Sequence, residues 1–175
     1  MAIYYYIFDM DGALFFTDEL NNESYNSVLV ENNFEPISNK KRITRKTVKI
    51  SYPEISDKKI AEIICQKQEY FINNISRVQT NCFLFDLLEK IEKDKCILWT
   101  SADRGRTESM IKEFDLQRFF GRTIFSDKKH ISADMKHICS ELACTTDQLL
   151  VFENDAAIAK ALSEAQVSCF LLIRP

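Results

Sequence analysis

Residues 4–12 are Tyr4-Tyr5-Tyr6-Ile7-Phe8-Asp9-Met10-Asp11-Gly12, an aromatic and apolar run that stops at two carboxylates and a glycine. A short apolar run of this kind is typical of a strand that is buried on both faces, in the middle of a parallel sheet. Ligands of such sheets bind at the carboxyl ends of the strands. Side chains two apart in an extended backbone point the same way, so Asp9 and Asp11 are expected on one side. Two neighbouring carboxylates suit a metal site better than a core.

Length and composition indicate an ordinary soluble protein. The chain has 175 residues, of which 46% are hydrophobic and 28% charged, which suits one domain or one domain with a modest insert. The net charge of -3 predicts no general attraction to nucleic acid or to an anionic membrane. The N-terminal apolar run is too short for a membrane span or a signal segment, and no basic region precedes it.

The cysteines are scattered within apolar segments, at Cys65, Cys82, Cys96, Cys139, Cys144 and Cys169. They form no Cys-x-x-Cys pair and no Cys/His pair at ligand spacing. We therefore expect reduced cysteines in a cytoplasmic protein, rather than disulfides or a zinc site.

The segment 18–79 interrupts the alternation of strands and helices, and we expect it to be largely helical. One helix is predicted from Asp18 to about Glu31, and a second from about Ser56 to Ile75, where apolar residues follow a period of 3.6. The segment between them is polar and basic. Inserts of this kind often cover a site, so we predict a core domain of residues 1–17 and 80–175 and a helical cap of residues 18–79.

After the insert, predicted helices alternate with short buried strands. The strands are expected at 96–99, 123–125, 149–152 and 168–173, and the helices at 83–91, 106–114, 132–142 and 156–165. This repetition predicts an α/β fold with a Rossmann-like parallel sheet, right-handed crossovers and helices on both faces.

Polar side chains also follow the later strands. These are Thr100 and Ser101 after the second strand, Lys128 and Lys129 after the third, and Glu153, Asn154 and Asp155 after the fourth. Each group has an ordinary explanation taken alone, as a turn, a helix start or a solvated loop. Because the carboxyl ends of parallel strands converge, one shared site explains all of them together.

In this order the strand ends resemble the motifs of the haloacid dehalogenase superfamily, over essentially the whole chain. The segment 8–14, Phe-Asp-Met-Asp-Gly-Ala-Leu, is similar to the first motif, 97–101 to the second and 149–155 to the fourth. Lys128 or Lys129 takes the place of the third motif, without the Gly-Lys-Pro that is usual there. The position of the insert resembles the helical-cap subfamily, which includes phosphoglycolate phosphatases and β-phosphoglucomutases.

The resemblance implies a Mg²⁺-dependent phosphatase that acts on a small phosphorylated metabolite through an aspartyl-phosphate. The residue that matches Asp9 is the family's nucleophile, and the one that matches Asp11 is its general acid and base. The remaining implied roles are phosphoryl binding by Thr100, Ser101 and Lys128 or Lys129, and Mg²⁺ binding by Asp9, Asp11, Glu153 and Asn154. In the cap, Arg45 is the candidate for a second phosphate or carboxylate contact, with a solvated basic loop as the alternative.

Three residues depart from the family pattern. Ala13 stands where Thr or Val is usual, Phe16 where helical-cap members often carry Asp, and Asn154 where a metal-binding Asp is common. Asn lacks the charge that holds a hard cation, so either Asp155 compensates or Mg²⁺ binds more weakly. Two alternatives stay open: a phosphomutase of the β-phosphoglucomutase type, and a catalytically weakened domain that binds a phosphorylated ligand or a protein partner. A monomer or a dimer is expected.

Overall fold

The computed structural model describes residues 5–38 and 41–173, so Tyr4, where the first predicted strand begins, lies outside the described residues. The chain divides into two units. Unit 1 comprises Met1–Phe16 and Thr80–Pro175, and unit 2 comprises Thr17–Gln79. The predicted domain boundaries lie within one residue of this division, and the role of unit 2 as a cap stays a prediction.

Within the described residues the strands are β1 (Tyr5–Phe8), β2 (Phe15–Phe16), β3 (Gln79–Thr80), β4 (Cys96–Thr100), β5 (Arg122–Phe125), β6 (Leu149–Glu153) and β7 (Ser168–Leu171). The helices are α1 (Asp18–Glu31), α2 (Arg45–Ser51), α3 (Asp57–Asn73), α4 (Cys82–Leu88), α5 (Arg104–Glu113), α6 (Ile131–Leu142) and α7 (Ala156–Glu164). Short 3₁₀ turns occur at Ile75–Arg77, Lys93–Lys95, Leu116–Arg118 and Thr146–Gln148.

The main sheet of unit 1 is parallel, with the strand order β5-β4-β1-β6-β7. Strand β1 lies in the middle, and its residues Ile7 and Phe8 are fully buried. Phe8 pairs in register with Leu98 of β4 and Phe152 of β6. The residues that follow these three strands therefore reach the same edge of the sheet. The predicted α/β fold with a parallel sheet is confirmed.

One apolar cluster joins the sheet to the helices α6 and α7. It includes Ile7, Ile97, Trp99, Met135, Ile138, Val151 and Leu162. Each fully buried side chain of this size contributes roughly 1.5–3 kcal/mol relative to an exposed one. The cluster lies under the central strands and holds their carboxyl ends in fixed positions.

Unit 2 has a core of its own between α1 and α3. Tyr25, Val28 and Leu29 of α1 belong to one buried cluster with Ile60 and Ile63 of α3. Helix α2 was not expected from the sequence, because Val48 is its one buried residue and a single apolar position gives no periodicity. Its start is fixed by a reciprocal pair of hydrogen bonds between Thr44 and Thr47.

In the part of the chain that the structure describes, no helix is both long enough and apolar enough to cross a bilayer. The six cysteines are free thiols. Burial raises the pKa of Cys96 to about 12 and the pKa values of Cys144 and Cys169 to about 11. These three thiols are therefore poor nucleophiles at neutral pH.

Candidate active site

The carboxyl edge of the sheet carries a buried ion-pair cluster. The ammonium nitrogen of Lys128 lies 2.5 Å from Asp9 Oδ1, after β1, and 2.9 Å from Glu153 Oε2, at the end of β6. All three residues are buried. The Lys128 ammonium also lies 4.2 Å from the centre of the Trp99 ring, which further stabilises the cation. The structure thus brings together side chains from three separate strand ends.

Burial raises the pKa of Asp9 to about 7; repulsion from Glu153 acts in the same direction, and attraction to Lys128 opposes both. Burial alone lowers the pKa of Lys128, but attraction to Asp9 and Glu153 outweighs it, so the net pKa lies above the ordinary value. Lys128 is therefore a persistent positive charge. One ammonium is shared by two buried carboxylates, so the cluster favours the arrival of further positive charge.

The loop between β5 and α6 presents Lys128 to the cluster and keeps Lys129 out of it. Lys128 adopts a left-handed backbone with φ of 55°, and its N–H donates to Ser126 Oγ at 3.0 Å. Ser126 Oγ is also hydrogen bonded to Asp134 of α6. Lys129 is exposed and pairs with Asp127 at 2.6 Å. Of the two lysines that the sequence left open, only Lys128 lies where it can neutralise the site.

Arg106 is a site residue that the sequence reasoning missed. It is the third residue of α5, is buried, and donates from its guanidinium to the Asp11 carboxylate. A cation in the first turn of a helix is electrostatically unfavourable, because the N-terminal end of the helix dipole is positive. A nearby anion, Asp11, offsets this placement of Arg106, but the exposed Arg104 of the same turn shows that position in the helix alone does not reveal a site residue.

The turn after β6 is organised by Glu153 and Asp155. Glu153 Oε1 accepts the backbone N–H groups of Asn154 and Asp155 at 2.9 and 3.0 Å, and its other oxygen accepts from Lys128. Asp155 is exposed and caps α7, where it accepts from the N–H groups of Ala157 and Ile158. Glu153, a predicted metal ligand, thus accepts hydrogen bonds at both of its carboxylate oxygens, and the Asp155 carboxylate is bound to the start of α7.

The side-chain amide of Asn154 lies against three oxygens. With its nitrogen turned toward them, it donates to the Asp11 carbonyl at 3.0 Å, Glu153 Oε1 at 3.2 Å and Asp9 Oδ2 at 3.3 Å. Gly12 permits this approach, because its φ is +89° and a Cβ there would lie 2.3 Å from the nearest Asn154 side-chain atom. With the amide oxygen turned inward instead, four oxygens would converge, which is an arrangement that a cation stabilises.

These oxygens suit Mg²⁺, which is commonly held by one or two carboxylates, with water and phosphate oxygens completing its shell. The available donors are Asp9 Oδ2, the backbone carbonyl of Asp11 and the amide of Asn154. Among residues 5–38 and 41–173, no three His, Cys, Asp or Glu side chains gather as a metal site. The residues therefore fit Mg²⁺ through a set that includes one backbone carbonyl and one amide, while the carboxylate of Asp11 pairs with Arg106 and that of Glu153 with Lys128.

The remaining predicted residues are placed as follows. Thr100 is buried at the end of β4, and its hydroxyl accepts the Ala102 N–H at 3.1 Å. It is not the cap of α5, because that position belongs to Asp103. Ser101 is exposed beside it. Arg45 is the exposed first residue of α2 in unit 2.

Comparison with known families gives a match to one family model. The model is described as haloacid dehalogenase-like hydrolase, and it matches residues 6–161. No curated protein matches the chain significantly.

Solved structures share the fold at low sequence identity. CbbY from Rhodobacter sphaeroides, solved with phosphate, is 16% identical with a TM-score of 0.80, covering 99% of this chain and 87% of that one. A protein from Haemophilus somnus 129PT, described as a predicted phosphoglycolate phosphatase, is 16% identical to this chain. Its TM-score is 0.81, and the match covers 95% of this chain and 84% of that one. A candidate β-phosphoglucomutase from Thermotoga maritima is 21% identical, with a TM-score of 0.77 and coverages of 100% and 87%.

Proposed function

The chain belongs to the haloacid dehalogenase-like hydrolase family, and from that premise we propose that it is a Mg²⁺-dependent phosphatase. Its substrate would be a small phosphorylated metabolite, hydrolysed through an aspartyl-phosphate intermediate. Two structures of one structural relative are consistent with such a substrate, since CbbY has been solved with phosphate and a CbbY mutant with xylulose-1,5-bisphosphate.

The observation that carries the proposal is the buried contact of Lys128 with Asp9 and Glu153. A phosphate monoester dianion repels a carboxylate nucleophile, so a phosphatase of this type must place fixed positive charge beside that nucleophile. Lys128 supplies it at 2.5 Å from Asp9, in a position where little water screens the charge. An ion pair with a purely structural role would not need to lie at the edge where parallel sheets bind their ligands.

In the proposed mechanism, Asp9 attacks phosphorus and forms the aspartyl-phosphate while the alcohol leaves. Asp11 gives a proton to the leaving oxygen and then takes one from the water that hydrolyses the intermediate. Lys128, Thr100 and Ser101 hold the phosphoryl oxygens. When bound, Mg²⁺ supplies Lewis-acid charge stabilisation, and Asp9, the Asp11 carbonyl and Asn154 would hold it.

Asn154 favours one second candidate. A site with a neutral amide where a metal-binding carboxylate is common suits a weakened domain that binds a phosphorylated ligand without turning it over. A phosphomutase would use the same residues as the phosphatase and return the phosphoryl group to the substrate.

The test is the release of inorganic phosphate from a panel of small phosphate esters, measured with Mg²⁺ and with EDTA. We expect Mg²⁺-dependent turnover by the wild type and none by Asp9→Asn. Asp127→Asn is the matched control, because Asp127 is exposed and pairs with Lys129 outside the cluster. Turnover that survives in Asp9→Asn would refute the nucleophile, and a folded wild type that binds phosphate without any turnover would favour the weakened domain.

A further inference from the structure

The structure contains a second buried cation at the site, and the family's motifs assign it no role. The side chain of Arg106 is 4% exposed, and that of its partner Asp11 is 20% exposed. Arg106 stays in the first turn of α5 although the helix dipole disfavours a cation there. A guanidinium has five N–H donors in a rigid planar fork, which matches the oxygens of a phosphate group.

The balance of charge in the cluster shows what a phosphoryl group would require. The carboxylates of Asp9 and Glu153 contact Lys128, and the carboxylate of Asp11 contacts Arg106. A bound phosphate dianion adds two further negative charges, and Lys128 is already shared between two carboxylates. Arg106 adds positive charge to that of Lys128, and it contacts Asp11, the general acid and base of the proposed reaction.

We propose that Arg106 is a phosphoryl-binding residue that exchanges its contact with the Asp11 carboxylate for the oxygens of the incoming phosphoryl group. This inference rests on the proposed phosphatase function and deepens it. The exchange is a local movement of one side chain, since the N–H of Arg106 remains bound to the Asp103 cap at 3.0 Å. It also frees Asp11 to take up a proton, which Asp11 then gives to the leaving oxygen of the ester.

Arg104 provides a matched control in the same helical turn. Its side chain is 70% exposed, stacks on Phe125 at 4.3 Å and lies 4.0 Å from Glu108. Removing its charge changes the net charge of the protein by the same amount as removing that of Arg106. Any difference between the two substitutions therefore reports the position of the cation, since the total charge change is equal.

The experiment measures the binding of inorganic phosphate in the presence of Mg²⁺ by isothermal titration calorimetry. The proteins are the wild type, Arg106→Gln, Arg106→Lys and Arg104→Gln. Charge-assisted hydrogen bonds of this kind predict that Arg106→Gln weakens the phosphate Kd by about 10- to 100-fold. We expect Arg106→Lys to recover part of the loss, because it keeps the charge without the planar fork, and Arg104→Gln to stay within about twofold of the wild type.

An unchanged phosphate Kd in folded Arg106→Gln, with a normal Kd and turnover in the wild type, would overturn the inference and leave the proposed function intact. If Arg106→Gln does not fold, the double variant Asp11→Asn/Arg106→Gln replaces the ion pair with two neutral amides and is measured against Asp11→Asn alone. An equal Kd in these two proteins would likewise overturn it. A wild type that neither binds phosphate nor hydrolyses esters would overturn both proposals.

Discussion

At the scale of single residues, Asn154 controls the charge of the oxygen cluster after β6. Its amide is neutral and can satisfy the Asp11 carbonyl, Asp9 and Glu153 by donating hydrogen bonds, without a cation. A carboxylate at the same position could donate nothing to these oxygens and would repel two of them. The residue present therefore stabilises the metal-free site at the expense of affinity for a hard cation.

This comparison predicts opposite effects of Asn154→Asp on stability and on metal affinity. In EDTA, we expect the free energy of unfolding to fall by roughly 1–3 kcal/mol, because the half-buried side chain of residue 154 loses its donors and gains a charge. The added charge should tighten Mg²⁺ binding by about tenfold or more. Urea denaturation in EDTA and Mg²⁺ titration followed by the melting temperature measure the two effects.

The neighbouring Asp155→Asn is the control for Asn154→Asp. Asn also caps helices well, so that variant keeps the start of α7 and should leave Mg²⁺ affinity unchanged. Weaker or equal Mg²⁺ binding by Asn154→Asp would show that the amide of Asn154 is not a ligand.

The sequence predicted those site residues that lie at the ends of strands. Asp9, Thr100 and Glu153 directly follow or end buried strands, so a parallel sheet brings them to one edge. The choice between Lys128 and Lys129 depended on the left-handed backbone of Lys128, which side-chain identity does not encode. Arg106 lies within helix α5, so an analysis of the residues at strand ends does not find it.

At the scale of elements, the loop between β5 and α6 holds Lys128 in position through hydrogen bonds of Ser126 to Lys128 and Asp134, which we call the clamp. Ser126 Oγ accepts the Lys128 N–H and is hydrogen bonded to Asp134, so the loop is tied to the first turn of α6. A left-handed backbone costs a non-glycine residue roughly 1–2 kcal/mol and must be stabilised by such contacts. The clamp therefore fixes the direction in which Lys128 enters the cluster.

Ser126→Ala removes the clamp and leaves Lys128 itself unchanged. The loss of one or two hydrogen bonds predicts a fall in kcat of about 3- to 10-fold and a loss of stability of about 1 kcal/mol. Phosphate release from the best ester and urea denaturation measure these effects. Ser109→Ala is the control, since that hydroxyl donates only along its own helix to the Gly105 carbonyl. Equal kcat values in the two variants would contradict a role of the clamp in positioning Lys128.

The elements that the sequence predicted well are those with strong apolar patterns. Strands β1, β4 and β6 are short runs of mostly apolar residues that are largely buried, and α3 has apolar residues at helical spacing. Helix α2 and the two-residue strands β2 and β3 were missed, because short elements depend on local hydrogen bonds more than on periodicity. Thr17 precedes α1 without capping it through its side chain, and its hydroxyl accepts from Arg42.

At the scale of the whole molecule, the parallel topology followed from the alternation of strands and helices, because crossover connections require it. The place of β1 in the middle also followed, since only a central strand is buried on both faces. Metal affinity and substrate choice did not follow from the topology. In our proposals they depend on single side chains such as Asn154 and Arg45, whose contacts hydrophobic patterns leave undetermined.

The last prediction concerns unit 2 and the choice of substrate. Within unit 2, the guanidinium of Arg42 donates hydrogen bonds to Asp18 at 2.8 Å and to Thr17 at 3.0 Å. Arg45, in contrast, is exposed at the start of α2. If Arg45 binds a second anionic group of the substrate, Arg45→Ala should raise KM by about tenfold and leave kcat within about twofold, since the contact is made equally in the ground and transition states. Unfolding free energy should stay within about 0.5 kcal/mol of the wild type, because the side chain is exposed.

Lys46 makes this prediction about Arg45 sharply testable, because it is the next residue of α2, is also exposed and carries the same charge. Lys46→Ala should leave KM unchanged if the contact is specific to the guanidinium of Arg45. Equal increases of KM in both variants would instead indicate a diffuse basic surface that attracts anions, and this effect would shrink as salt is added. An unchanged KM in Arg45→Ala would leave the solvated loop as the correct interpretation, and substrate choice would then have to come from other residues of the chain.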